Sequence, residues 1–182
     1  MSIPLQLDDV EQCVDHILAT IGNDIRVGIP LGLGKPPELI NALYQRAKAN
    51  PDIRLLIATA LSLEVPDPGK GLQRRFLQPF LERVFGGYPG LDYMRDLRAG
   101  SVPDNIEIHE FFFKSGSMLN NNLAQQNYIS TNYTHSVRDL LALNINVVAQ
   151  LLSHRHNNGK DEYSMSCNPE TTRDLLPVLQ QR

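Results

Sequence analysis

The sequence contains little cysteine and no long apolar run. Its two cysteines, Cys13 and Cys167, cannot form a disulfide framework, and the lack of a CxxC pair argues against structural zinc. We therefore expect a protein of a reducing compartment. The most apolar stretch, 140–152, is broken by Asn and Gln and is shorter than the roughly 18 apolar residues that a membrane-spanning helix needs.

Neither sign of charge forms a block in this chain. The 17 Lys and Arg against 20 Asp and Glu give a formal net charge of -3, so the basic face of a nucleic-acid or membrane-surface binder is missing. Asp8, Asp9 and Glu11 stand where a secretory signal peptide needs a basic flank. The composition therefore predicts a soluble, cytoplasmic protein with no nucleic-acid and no membrane partner.

The length of the chain matches one folding unit. With 182 residues, of which 42% are hydrophobic and 20% charged, the chain can bury a sizeable core, which excludes intrinsic disorder. We find no internal repeat and no linker that would divide it. The sequence therefore predicts a single domain over 1–182.

Apolar segments with strand and helix periods alternate along the chain. Short runs predict strands over 24–30, 53–61, 106–113 and 146–153, and the nearly continuous apolar run at 53–61 is typical of a strand covered on both faces. Helical stripes separate these runs, which requires crossover helices on both faces of a parallel sheet. The predicted fold class is α/β, a three-layer, mostly parallel open sheet.

Three further segments carry more specific expectations. The Asn and Gly residues at 157–160 predict a hairpin turn, with 162–167 returning as an antiparallel edge of the main sheet. The segment 115–126 is either a loop or an amphipathic helix, and its run of asparagines favours a partly irregular structure. A helix over 72–85 is predicted to bury one apolar face, formed by Phe76, Leu77, Phe80, Leu81 and Val84.

A Gly-rich loop between the first strand and the next helix is the most informative motif. Its sequence, VGIPLGLGKPPEL over 27–39, has the strand-loop-helix order that brings backbone amides to an anion. A phosphate-binding loop does not fit, since Pro36 replaces the hydroxyl residue after the lysine, and Pro37 breaks the dinucleotide fingerprint. Gly32, Gly34 and Pro36 are therefore candidate ligand contacts, although such loops also simply connect elements.

The polar cluster at 130–135 supplies two weaker candidates. Asn132 and His135 stand at the entry to a predicted helix, where they either line a pocket or cap the helix. His154 and His156 share a face but have no third ligand that we can identify, so no metal site is predicted. No residue has an activating base at a recognisable spacing, so the chain offers no evident nucleophile.

Several of these stretches together resemble the amino-terminal half of the acetyl-CoA hydrolase/CoA-transferase family, which includes 4-hydroxybutyrate and acetate CoA-transferases. The similarity runs through most of the chain, and its pieces are individually weak and jointly fairly specific. One of them is a GxPxxL pattern formed by Gly34, Pro36 and Leu39. The matching stretches are VGIPLGLGKPPELINAL (27–43), GYPGL (87–91), IEIHEFFFKSGSMLNN (106–121), QNYISTNYTHSVRDLL (126–141), INVVAQL (145–151) and YSMSCNPETTRDLLP (163–177).

The resemblance implies two open α/β domains of the NagB/RpiA/CoA-transferase type. A glutamate of the second domain attacks the acyl-CoA thioester, and CoA then passes to a small carboxylate or the acyl group to water, without a covalently bound cofactor. The resemblance also implies that the 32–36 loop and Thr59 face the acyl or carboxylate pocket, with Asn132 and His135 nearby.

The chain departs from this family at the nucleophile. Its glutamates Glu82, Glu107, Glu110 and Glu162 do not stand in the Gly-containing motif of the catalytic residue. We therefore expect the amino-terminal half of a two-domain enzyme, inactive alone, whose partners are acyl-CoA, a carboxylate and its own carboxy-terminal domain, with a homodimer as a further assembly. The choice between hydrolase and transferase stays open.

A second interpretation needs no catalysis. The chain could be a stand-alone α/β module that binds a small anion or a partner protein. The parent reading frame separates the two interpretations, because a second domain with a Gly-flanked glutamate favours the enzyme.

Overall fold

Four parallel strands form the central sheet of the computed structural model, which describes residues 5–165 and 167–181. The strands are β1 (Asp24–Gly28), β2 (Arg54–Thr59), β3 (Ile106–Glu110) and β4 (Val147–Val148), in the order β3-β2-β1-β4. All three pairings are parallel. The predicted α/β class with a mostly parallel sheet is confirmed, and β2 is buried along five of its six residues, as its continuous apolar run predicted.

Helices cover both faces of this sheet. One face packs against α1, α2 and α4 through a large apolar cluster that includes Val27, Ile57 and Tyr44. The other face packs against α6 and α7 through Leu56 and Leu140. The helices are α1 (Val10–Ile21), α2 (Pro37–Ala49), α3 (Gly71–Phe85), α4 (Asp92–Ala99), α5 (Asn122–Gln126), α6 (Tyr133–Ala142) and α7 (Glu170–Leu179). In the described part of the chain, none of them is long and apolar enough to cross a membrane.

The predicted antiparallel edge of the main sheet is wrong. Strands β5 (Ser153–Asn157) and β6 (Lys160–Ser164) form a separate two-stranded sheet, exposed at all ten positions. Both strands are polar on both faces, so they have no apolar side to pack against the core. The turn itself is confirmed, with Asn158 and Gly159 both at positive φ. The strand expected over 146–153 shrinks to β4, and Ser166, within the expected partner strand, lies outside the described residues.

The expected orientation of α3 is also largely wrong. Leu81 is buried as predicted and Leu77 is half-buried, but Phe76 is 82% exposed and Phe80 and Val84 are exposed as well. The apolar stripe correctly predicted a helix, because a 3.6-residue period is a local property. Whether another element covers the stripe depends on the tertiary structure. In the described chain, most of the α3 stripe faces solvent.

These two groups of α3 residues should respond differently to truncation. We expect Leu81→Ala to lower the free energy of unfolding by about 2 kcal/mol, because it removes buried methyl groups. Phe76→Gln should change this free energy by less than about 0.5 kcal/mol, because the ring has little contact with the chain to lose. Urea denaturation of both variants checks the prediction, and an equally large loss in Phe76→Gln would mean that the ring packs against the chain after all.

Candidate functional site

The carboxyl ends of β1, β2 and β3 lie at one edge of the sheet, where parallel α/β folds bind their ligands. The segment after β1 contains a short 3-10 helix over Gly32–Gly34 and then Lys35. Lys35 and Glu110 are polar residues buried at this edge. Charged side chains are rarely buried without partners, so this edge is the first place to look for a site.

Lys35 fastens the loop after β1 to the loop after β2. Its Nζ donates hydrogen bonds to the carbonyl oxygens of Pro30 at 2.6 Å, Ala60 at 2.6 Å and Leu61 at 3.4 Å. The side chain is 2% exposed. Burial lowers the pKa of Lys35 to about 7, and the negative charge of Glu110 acts in the opposite direction.

Glu110, the last residue of β3, contacts Ser62 and lies near Tyr93, and these residues together with Lys35 form a buried polar cluster. Glu110 is 1% exposed, and its Oε1 accepts a hydrogen bond from Ser62 Oγ, which also lies 2.6 Å from the hydroxyl of Tyr93. Glu110 Oε2 is buried and has no partner among the described residues. Burial raises the pKa of Glu110, opposed by the Ser62 hydrogen bond and the charge of Lys35, and burial also raises the pKa of Tyr93, which stays a neutral phenol.

A cleft of about 780 Å³ opens beside this cluster, between the loops that follow β2 and β3. Ser62 stands in its wall. Arg98 and Lys114 also line the cleft. The guanidinium of Arg98 pairs with Glu64 at 2.5 Å and donates to the Ser117 carbonyl at 3.2 Å. Its volume is within the usual range of small-molecule sites.

The Gly32 and Gly34 amides predicted to meet an anion are engaged within the protein. Gly32 N donates to the Leu61 carbonyl at 3.2 Å and Gly34 N to the Leu31 carbonyl at 3.1 Å. Gly34 is moreover a close-packing position, since a Cβ there would lie 2.8 Å from both the Cys167 carbonyl oxygen and Gln150 Nε2. The geometry favours a connecting role for this loop, with Lys35 as its chemically distinctive side chain.

Pro36 and Thr59 are also internal. Pro36 is buried at the position that precedes α2. Thr59 is fully buried, and its Oγ1 donates to the Pro30 carbonyl at 3.2 Å, the same oxygen that Lys35 contacts. The structure therefore brings Thr59 to the predicted edge of the sheet, but behind the wall of the cleft.

Asn132 and His135 lie on the surface at the start of α6. The Oδ1 atom of Asn132 accepts a hydrogen bond from Thr134 at 2.6 Å, and its carbonyl accepts from the His135 amide at 3.0 Å. Tyr133 contacts Phe111 edge to face at 6.0 Å, which places this helix start near the carboxyl end of β3. Neither candidate belongs to the described residues that line the cleft.

The buried polar cluster is not evident from the sequence. Lys35, Ser62, Tyr93 and Glu110 were not selected as site residues, although Lys35 stands inside the motif that was. A lysine between buried glycines and a glutamate at the end of an apolar strand are the available signals. Neither becomes informative until residues separated by 25 to 48 positions in the chain come together.

The histidine pair forms an acid-base cluster on the exposed hairpin. His154 Nε2 and His156 Nδ1 both lie within 3.0 Å of one oxygen of Asp161, and these contacts lower the pKa of Asp161. No group of three His, Cys, Asp or Glu side chains suited to a metal ion occurs in the described part of the chain.

Comparison with known proteins adds no relative to this description. No protein-family model, no curated protein and no solved structure matches the chain. Any functional assignment therefore rests on the residues, the geometry of the site and the resemblance noted above.

Proposed function

We propose that this chain is the amino-terminal domain of an acyl-CoA hydrolase or CoA-transferase with the NagB/RpiA/CoA-transferase type of fold. It would help move CoA from an acyl-CoA thioester to a small carboxylate, or the acyl group to water, in the cytoplasm. The cleft at the carboxyl edge of the parallel sheet, lined in part by residues 113–117 of the family-like segment 106–121, carries the proposal.

The composition of the cleft suits a partly apolar ligand with charged groups. Arg98 and Lys114 supply positive charge beside the carboxylates of Glu64 and Asp67, and Leu61, Leu63 and Phe113 supply apolar surface. An acyl-CoA combines an apolar acyl chain with a thioester and phosphate groups, so it needs both kinds of contact. No covalently bound cofactor takes part in this proposal, since CoA enters as substrate.

The environments of the glutamates support a nucleophile supplied by a second domain. The buried Oε2 of Glu110 has no access to the cleft, and Glu64 is held by Arg98. Glu82, Glu107 and Glu162 are exposed and lie outside the described lining of the cleft. Attack on a thioester needs a free carboxylate next to the carbonyl carbon and donors for the developing oxyanion.

The exposed face of α3 also supports a second domain. Leu72, Phe76, Phe80 and Val84 recur every four residues and form one apolar stripe that the described chain leaves uncovered. Such a stripe is typical of a surface that another domain or protein covers. The same stripe favours the alternative function, a noncatalytic module that binds a partner protein, which is the second candidate.

Thioester cleavage distinguishes the two functions. The 182-residue chain should release no thiol from acetyl-CoA above the buffer rate, because it lacks the nucleophile. The complete protein, with a second domain that carries a Gly-flanked glutamate, should release thiol or transfer CoA to acetate. A thiol-reactive dye and chromatographic detection of the transfer product measure both reactions.

The controls separate the outcomes of this assay. Glutamine in place of the second-domain glutamate should abolish turnover with folding unchanged. If the 182-residue chain releases thiol, and Ser62→Ala or Glu110→Gln abolishes this release, a nucleophile lies within this chain. That result would refute the two-domain mechanism. An inactive complete protein that forms a stable complex through the α3 stripe would favour the binding module.

A further inference from the structure

The strained peptide before Ser62 is held by three separate contacts. Leu61 has a φ of 43°, in the left-handed region that a bulky side chain disfavours. Its amide donates to the Phe112 carbonyl at 2.7 Å. Its carbonyl accepts from the Gly32 amide at 3.2 Å and from Lys35 Nζ at 3.4 Å. A conformation of this kind persists only where surrounding contacts impose it.

The oxygens around Lys35 Nζ have the character of a cation site. Pro30, Ala60 and Leu61 supply three carbonyl oxygens, which match the three donors of an ammonium group. Glu110 adds a buried carboxyl group whose Oε2 has no partner among the described residues. A positive charge at this place therefore satisfies the carbonyl oxygens, and the charge of Glu110 favours it.

We propose that these three carbonyl oxygens form a cation cage and that the ammonium inside it positions Ser62 in the wall of the cleft. Lys35 is thus a positioning residue that acts through the Leu61 peptide. The cage would accept a free primary alkylammonium ion if the lysine side chain were removed. This inference does not depend on thioester chemistry, because the cage and the loop belong to the chain itself.

Chemical rescue tests the cage. Lys35→Ala removes three methylene groups and the ammonium, which n-propylammonium replaces atom for atom. In this variant, hydrogen exchange over 60–64 should become at least about tenfold faster, because the carbonyls of Ala60 and Leu61 lose their charge-assisted hydrogen bonds to Lys35. Millimolar n-propylammonium should restore much of the protection, whereas 1-propanol, which has a similar size and no charge, should not.

Two variants act as controls. Lys35→Met fills the space without a charge and should not respond to n-propylammonium. Lys48→Ala removes a half-exposed ammonium that pairs with Asp96 at 2.5 Å, and it should leave exchange over 60–64 unchanged. Equal restoration by 1-propanol, or no restoration by either compound, would overturn the proposal. If Lys35→Ala does not fold, the yield of refolding with n-propylammonium compared with 1-propanol gives the same decision.

Discussion

Lys35→Met should lower the free energy of unfolding by about 3 kcal/mol near neutral pH, because it leaves the buried carbonyl oxygens of Pro30 and Ala60 without their donor and removes the charge that opposes the burial of Glu110. The Ala60 carbonyl thereby loses the hydrogen bond of 2.6 Å that it accepts from Lys35 Nζ. Combining the change with Glu110→Gln should recover much of the loss, since the double variant has no buried charge. Urea denaturation of the four proteins gives the coupling free energy directly.

The difference between the wild type and Lys35→Met should widen as the pH rises. Because the pKa of Lys35 is lowered from 10.5 to about 7 in the folded state, the unfolded chain binds more protons between these values, and wild-type stability gains with pH there. The pKa of Glu110 is raised in the folded state, so its ionisation at higher pH lowers the free energy of unfolding. Losing the Lys35 charge raises this pKa further, so the variant loses more stability than the wild type as the pH rises. Both effects widen the difference between the two proteins.

A matched variant on the same strand controls for the loss of a carboxylate. Glu107 is exposed and pairs with His109 at 2.9 Å, so Glu107→Gln should show little dependence on Lys35. The free energies of unfolding of the wild type and of Lys35→Met are compared at about pH 5 and about pH 9. An equal difference between the two proteins at both pH values would contradict the electrostatic coupling of Lys35 and Glu110.

Gly34→Val should lower the free energy of unfolding by about 2–3 kcal/mol, the usual effect of forcing atoms into a packed region. A Cβ at this position would lie 2.8 Å from the Cys167 carbonyl oxygen and 2.9 Å from Pro30 Cγ, closer than Cβ atoms approach such neighbours. The Gly34 carbonyl also accepts from the Leu151 amide at 2.8 Å, so a displaced loop disturbs the segment after β4. Thermal or urea denaturation measures the loss.

The neighbouring position provides the control for Gly34. Leu33 is exposed, and Leu33→Val adds a β-branched side chain to the same short helix without the close contacts, so its stability should change little. A Gly34→Val protein with an unchanged thermal midpoint, but without the acyl-CoA activity proposed for the complete protein, would restore the interpretation that Gly34 contacts a ligand. Gly34→Ala should give an intermediate loss of stability.

The sequence determined the class of the fold because the patterns involved are local. Strands and helices each have a characteristic spacing of apolar residues, which can be recognised within a short segment. The apolar runs of β1, β2 and β3 and the helical stripes of α1 and α2 show this spacing. Parallel strands joined by helices then leave few topologies, and the carboxyl edge follows as the expected site. The Gly-rich loop after β1 was located correctly at this edge for the same reason.

Only the tertiary structure decided which side chains occupy the site and which apolar faces are covered. Lys35 looks like an ordinary loop lysine until the carbonyls of Ala60 and Leu61 surround it, and Glu110 becomes a buried acid only when Ser62 and Tyr93 approach from other elements. The stripe of α3 likewise has a helical period whether or not a neighbour covers it. Burial and hydrogen bonding of this kind depend on residues far apart in the chain, and a local pattern contains no information about that distance.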